Sequence, residues 1–165
     1  MATEPINLRE WTAPQPSGRT GRLFTCGRPG RATFGRAKVC PLVEILDRWA
    51  RGLPQADVLH IVSLLGQKTT GFSEFDYYRF RSSTEAGSRP VFEDWLDSRY
   101  GRRFVIVEFP TVDGRGVPRD VLEGAANQVL NWLEAERTVI VIDSAGAERT
   151  ARVCEAAGCR PIPER

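Results

Sequence analysis

Thr138-Val-Ile-Val-Ile-Asp143-Ser-Ala-Gly-Ala-Glu-Arg149-Thr150 is the stretch on which the reading of this chain turns. A mostly apolar, β-branched run leads up to an aspartate. The loop 143–149, with Gly146 inside it, follows, and a helix is predicted from Arg149 to Ala157, stopped by Gly158. A short run that is apolar on both faces reads as a buried strand of a parallel sheet. A strand-to-helix turn of this kind aims backbone N–H groups and a helix N-terminus at one point, which makes an anion nest. An arginine at the helix start can then grip two oxygens of a phosphate-like group.

The same pattern repeats upstream. Val58–Leu65 is apolar on both faces and belongs in the middle of a sheet, and Phe104–Phe109 is a further strand, stopped by Pro110. Between the last two strands lies a helix over 121–136, with Val121, Leu122, Ala125, Val129, Trp132 and Leu133 as its buried stripe and Asp120 with Glu123 as a capping box. An earlier helix runs from Pro41 to Arg51, with Val39, Leu42, Val43, Leu46 and Trp49 at helical spacing and Gly52 as its stop. Leu23–Thr25 reads as a short strand before Gly27-Arg-Pro-Gly30, and a short helix is expected over 90–98. Strands alternating with helices predict an α/β fold, a central and mostly parallel sheet flanked by helices. Residues 1–21 are rich in Pro, Gly, Thr and Arg without a period and read as an extended lead-in, leaving 22–165 as one domain. Phe72, Phe75, Tyr77, Tyr78 and Phe80 crowd one stretch and are expected in the core.

Composition narrows the function classes. The 165 residues carry 23 basic and 21 acidic side chains, a balance that does not mark a nucleic-acid binder. The basic set is almost all arginine, with Lys38 and Lys68 the only lysines; residues 1–40 hold seven basic side chains against Glu4 and Glu10. That excess leaves open an arm, Arg19, Arg22, Arg28, Arg31 and Arg36, that meets nucleic acid or an acidic partner. Cys26, Cys40, Cys154 and Cys159 form no CxxC pair and the chain has one histidine, so free thiols and no metal site are expected. No apolar run spans a bilayer and no signal-peptide pattern opens the chain, so a cytoplasmic protein without membrane contact is expected. His60, within an apolar strand, is expected to be buried and hydrogen-bonded.

On spacing alone the loop supports three readings. A strand ending in Asp resembles a Walker B element, but no GxxxxGK[ST] accompanies it. An aspartyl-phosphate site wants a second acid two residues on, where Ala145 stands. The third reading is a plain strand-to-helix turn with Asp143 as its cap.

Asp143 to Arg149 also matches the His-Cys-x5-Arg-Ser/Thr loop of the cysteine-based protein tyrosine and dual-specificity phosphatases. Val-Ile-Val-Ile-Asp-Ser-Ala-Gly-Ala-Glu-Arg-Thr resembles Val-x-Val-His-Cys-Ser-Ala-Gly-x-x-Arg-Thr, and Glu148 falls where a bacterial branch of the family carries Asp. Phe109-Pro-Thr-Val-Asp113-Gly-Arg-Gly-Val-Pro118 is similar to the family's general-acid loop, with Asp113 thirty residues before Asp143. Gly27-Arg-Pro-Gly30 and Ile61-Val-Ser-Leu-Leu65 resemble the opening strand region and the Val-Ser-Leu strand. The resemblance spans residues 22–158. It implies a dual-specificity-phosphatase-like fold with a phosphate loop of Ser144, Ala145, Gly146, Ala147, Glu148, Arg149 and Thr150. Arg149 would be the phosphate-binding arginine and Asp113 the general-acid position.

The two residues that carry the family's chemistry are missing. Asp143 holds the cysteine position and Ile142 the histidine position. A thiolate activated by loop amides is the family's nucleophile; a carboxylate there is weaker and repels a phosphate dianion. The chain ends sixteen residues after Arg149, where the family continues through further helices, so a shortened domain that favours a partner or a homodimer is expected. The expectation is therefore a pseudophosphatase that binds a phosphorylated ligand or a protein partner through loop 143–149, without a cofactor. Two alternatives stand beside it: an active phosphatase with Asp143 as nucleophile and Mg²⁺ offsetting the charge, and the arginine-rich binder.

Overall fold

The strand over 138–143 sits at the centre of the sheet, for the reason its composition gives. In the computed structural model, which describes residues 6–13, 21–29, 42–66, 92–112 and 114–163, the sheet has six strands. They are β1 (Arg9–Thr12), β2 (Arg22–Gly27), β3 (Val58–Ser63), β4 (Arg103–Glu108), β5 (Thr138–Asp143) and β6 (Arg160–Pro161). Their order across the sheet is β4-β3-β5-β2-β1-β6. The first four are mutually parallel, while β1 runs antiparallel to both β2 and β6. The fold is thus α/β with a mixed, mostly parallel sheet flanked by helices.

Parallel neighbours need crossovers long enough to return the chain, and helices supply them. The helices are α1 (Leu42–Gly52), α2 (Phe92–Tyr100), α3 (Arg119–Glu134) and α4 (Glu148–Ala156). Side chains alternate along each strand, so β5 sends Ile140 and Ile142 to one face and Val139 and Val141 to the other. The first face packs with Leu46, Trp49 and Leu53 of the α1 region and Leu96 of α2. The second packs with Ala125, Val129 and Leu133 of α3 and Val153 and Cys154 of α4. Each fully buried aliphatic side chain contributes roughly 2 kcal/mol, which explains why β3 and β5 read as continuous apolar runs.

The extended lead-in enters the sheet. Trp11 is buried on β1, opposite Leu23, and its indole N–H donates to Thr25 Oγ1 at 3.0 Å. The boundary placed at residue 22 therefore falls inside a strand pair. The capping box at α3 is replaced: no side chain caps its N-terminus at Pro118, and Glu123 instead accepts from Arg119 Nε at 3.0 Å. Of its expected stripe, Ala125, Val129 and Leu133 are buried, joined by Ala126, while Val121, Leu122 and Trp132 are only partly covered. The aromatic stretch 72–80, the first turns expected at Pro41 and Pro90, Lys38, Lys68 and Cys40 lie outside the described residues.

His60 is buried as expected, but among the described residues its Nδ1 has no hydrogen-bond partner. The ring meets Trp132 of α3 edge-on, at 4.9 Å between centroids. Burial foremost, then the nearby Arg137 and Arg103 cations, hold its pKa below the usual 6.5. An unfolded chain therefore takes up a proton below about pH 6.5 that the folded chain refuses, so stability falls as pH drops through that value. Urea unfolding at pH 7.5 and 5.5 is expected to show this loss in the wild type. His60→Leu should remove most of the difference, and an equal loss in both proteins would assign it elsewhere.

Candidate functional site

All four parallel strands end at one edge of the sheet, where ligands of open α/β folds usually sit. There β5 delivers Asp143 opposite Gly27 of β2, with Ile142 opposite Ser63 of β3. The chain then turns through 144–147 into α4. Gly146 makes the turn: its φ is +68°, and a Cβ there would lie 2.3 Å from both Cys26 C and Gly27 N. The loop thus rests directly on the end of β2, where no side chain fits.

Asp143 is 2 % exposed and makes three hydrogen bonds to its own loop. Its Oδ1 accepts from the Ala145 N–H at 3.0 Å and from the Gly146 N–H by a shorter bond, and its Oδ2 accepts from the Thr150 N–H at 3.1 Å. Ala147, the N-cap residue of α4, has no side chain that can cap. Asp143 performs that task from outside the helix, by taking the third amide of its first turn. The nest and the cap are therefore one arrangement: the amides curl around a carboxylate that the chain itself provides.

Arg149 is 5 % exposed and points inward from the first turn of α4. Its Nη1 donates to Thr111 Oγ1 at 2.8 Å and to Leu64 O at 3.3 Å. Thr111 Oγ1 itself donates to Leu64 O at 2.6 Å, and Leu64 N–H to Ile142 O at 2.8 Å. Among the described residues Asp143 forms no ion pair, and the amides satisfy it. Thr111 was not anticipated, although it stands in the Pro110-Thr-Val-Asp113 stretch singled out for its aspartate. Asn7 was missed for a different reason, since it lies in a segment without pattern: its Nδ2 donates to Ala145 O at 3.1 Å and Gly146 O at 2.9 Å.

A cavity of about 250 Å³ separates the 114–116 turn from the loop, lined by Gly114, Arg115, Gly116 and residues of 143–149 including Asp143, Glu148 and Arg149. Residues on the C-terminal side of Asp113 thus face the loop; Asp113 itself lies outside the described residues. Among the described residues, two carboxylates and two guanidinium groups line the wall.

Among the described residues no reactive thiol stands beside Asp143. Cys26 pairs with Ile142 across the β2–β5 ladder, is fully buried, and has its pKa raised strongly by burial and then by Asp143. Cys154 is packed inside α4, with its pKa also raised by burial. Ser144 Oγ accepts from Arg28 Nε at 3.4 Å, and Thr150 Oγ1 donates to Ala147 O at 3.2 Å. Of the N-terminal arginines, Arg28 is thus engaged at the loop and Arg22 pairs with Glu10 at 3.1 Å, while Arg19, Arg31 and Arg36 lie outside the described residues. Among the described residues no group of three His, Cys, Asp or Glu side chains could hold a metal, and no helix is long and apolar enough to cross a membrane. No family model, curated protein or solved structure matches the chain.

Proposed function

We propose that this chain is a phosphatase-like protein of the cysteine-based type that lacks thiol catalysis and acts by binding. The observation that carries the reading is the commitment of the Ala145, Gly146 and Thr150 amides to the Asp143 carboxylate. The left-handed Gly146 supports it, as does the 114–116 turn facing the loop. A carboxylate in that position repels an incoming phosphate dianion. At about 4 Å and an effective dielectric near 20, each pair of unit charges costs roughly 4 kcal/mol. The resident anion therefore excludes the substrate of the active enzymes from the loop's centre. Binding falls to the mouth, where Arg115 and Glu148 are exposed to a phosphorylated ligand or a protein partner.

One observation favours a hydrolase instead: Asp143 lines the cavity and so borders the space where an ester would sit. Turnover separates the two readings. The wild type is expected to hydrolyse no aryl phosphate, phosphopeptide or phosphoinositide, with or without Mg²⁺. Ile142→His with Asp143→Cys is expected to gain measurable aryl-phosphatase activity, because the amides now held by the carboxylate would face a thiolate. Wild-type turnover that disappears in Asp143→Asn would establish the hydrolase. A folded but silent double variant would count against the phosphatase-like loop.

A further inference from the structure

We propose that Asn7 is a positioning residue, a clasp on the outer face of the loop that turns its amides inward. This rests on the reading of 143–149 as an oxyanion cradle and names what holds the cradle in shape. In a planar trans peptide the C=O and N–H groups point in opposite directions. Asn7 Nδ2 holds two successive carbonyls, Ala145 O and Gly146 O, on the outside. The N–H groups of the same two peptide units belong to Gly146 and Ala147, so both are directed to the concave side. The first is donated to Asp143 Oδ1, and Ala147 lines the cavity. One amide side chain outside the loop thus orients two donors inside it.

Asn7 is itself held in place. Ile6 is buried in the core beside α1, and its carbonyl accepts from the Gly27 N–H at 2.7 Å. Gly27 is also the residue against which Gly146 and Ala145 rest. The 6–7 segment, the end of β2 and the loop therefore form three stacked backbones, with Asn7 joining the outermost to the innermost. Its φ of 54° lies in the left-handed region, which asparagine tolerates better than most residues. Its conformation and its amide donors both serve the same contact.

Two variants separate these contributions. Asn7→Gly keeps the left-handed backbone and removes the donors. Asn7→Asp keeps the shape and sets a carboxylate against two carbonyl oxygens. Amide hydrogen exchange by NMR on the single variants is the first measurement. Exchange at Gly146 and Ala147 is expected to accelerate by about tenfold in Asn7→Gly and further in Asn7→Asp, while β3 and β5 amides stay unchanged. Unchanged exchange in the loop, or a uniform rise across the sheet, would overturn the clasp. The second measurement is inorganic phosphate binding by Asp143→Ser, in which the carboxylate no longer fills the loop. Adding Asn7→Gly should weaken that binding by about fivefold; equal affinities would also overturn the proposal. If Asp143→Ser binds no phosphate, the cradle reading fails while hydrogen exchange still decides the clasp.

Discussion

Asp143→Ser is expected to destabilise the fold by about 3 kcal/mol, since it deletes hydrogen bonds from three amides to a charged acceptor and leaves buried donors with at most one hydroxyl among them. Asp143→Asn, which retains one carbonyl oxygen, should fall between serine and the wild type. Part of the loss should return when an oxyanion takes the vacated place. Because such binding stabilises only the folded state, phosphate should raise the urea midpoint of Asp143→Ser in a concentration-dependent way. Phosphate also strengthens burial generally by exclusion from protein surfaces, so the wild type in the same buffers sets the baseline. The decisive quantity is the extra gain in the variant. A serine variant as stable as the wild type would show that the amides do not depend on the carboxylate.

Gly146→Ala is expected to be as severe, for a steric reason. The left-handed conformation alone costs a residue with a Cβ about 1–2 kcal/mol. Here the Cβ would also stand 2.3 Å from two backbone atoms of β2, which cannot move without disturbing the β2–β5 ladder. Together these predict a loss on the order of 3 kcal/mol or more, measured by urea unfolding. Gly114→Ala is the control: its φ is +80°, yet among the described residues, its chain neighbours aside, nothing lies within 4 Å of the new Cβ. It should cost only the conformational part, about 1 kcal/mol. Equal effects at both sites would mean that the loop is not seated on β2 as described.

The contrast between these glycines shows what a sequence can disclose. Gly146 was legible as a turn glycine within a strand–loop–helix pattern, because the continuous apolar run of β5 and the stop at Gly158 after α4 are local signals. Its contact with Cys26 and Gly27 was not, since residues far apart in the chain reveal no adjacency by themselves. The same division runs through the fold. β3 and β5 were legible because burial on both faces leaves a continuous apolar run, β4 because its run is β-branched and ends at Pro110, and α3 because burial along one stripe imposes a period. β1 and β6 were not: a strand of four or two residues has too few positions to display one, and its place depends on pairing with β2. The capping box failed because the helix begins before Asp120: with Pro118 at the N-cap and Arg119 first in the helix, Asp120 lies inside the first turn, where it cannot cap. At the candidate site, Asp143 and Arg149 were legible as neighbours because both stand on one local strand–loop–helix turn. Thr111 and Asn7 bind backbone or guanidinium groups brought close by tertiary structure, and no motif encodes such contacts.

The short ladder between β1 and β6 bears on the order of assembly. Thr12 Oγ1 reaches Arg160 O across 148 positions of chain, and among the described residues two residue pairs and the Ile162 N–H to Glu10 O bond join the two segments. Closing so long a span costs entropy before any contact offsets it, whereas β3 and β4 are joined by a much nearer crossover. Assembly is therefore expected to proceed from the parallel centre outward, with this outer ladder among the last parts to form and the first to fray. The strand that arrives late is β6: β1 pairs with β2 close by in the chain, so Asn7, continuous with β1, reaches the loop with the parallel centre, and the shaping of the loop does not await the far edge.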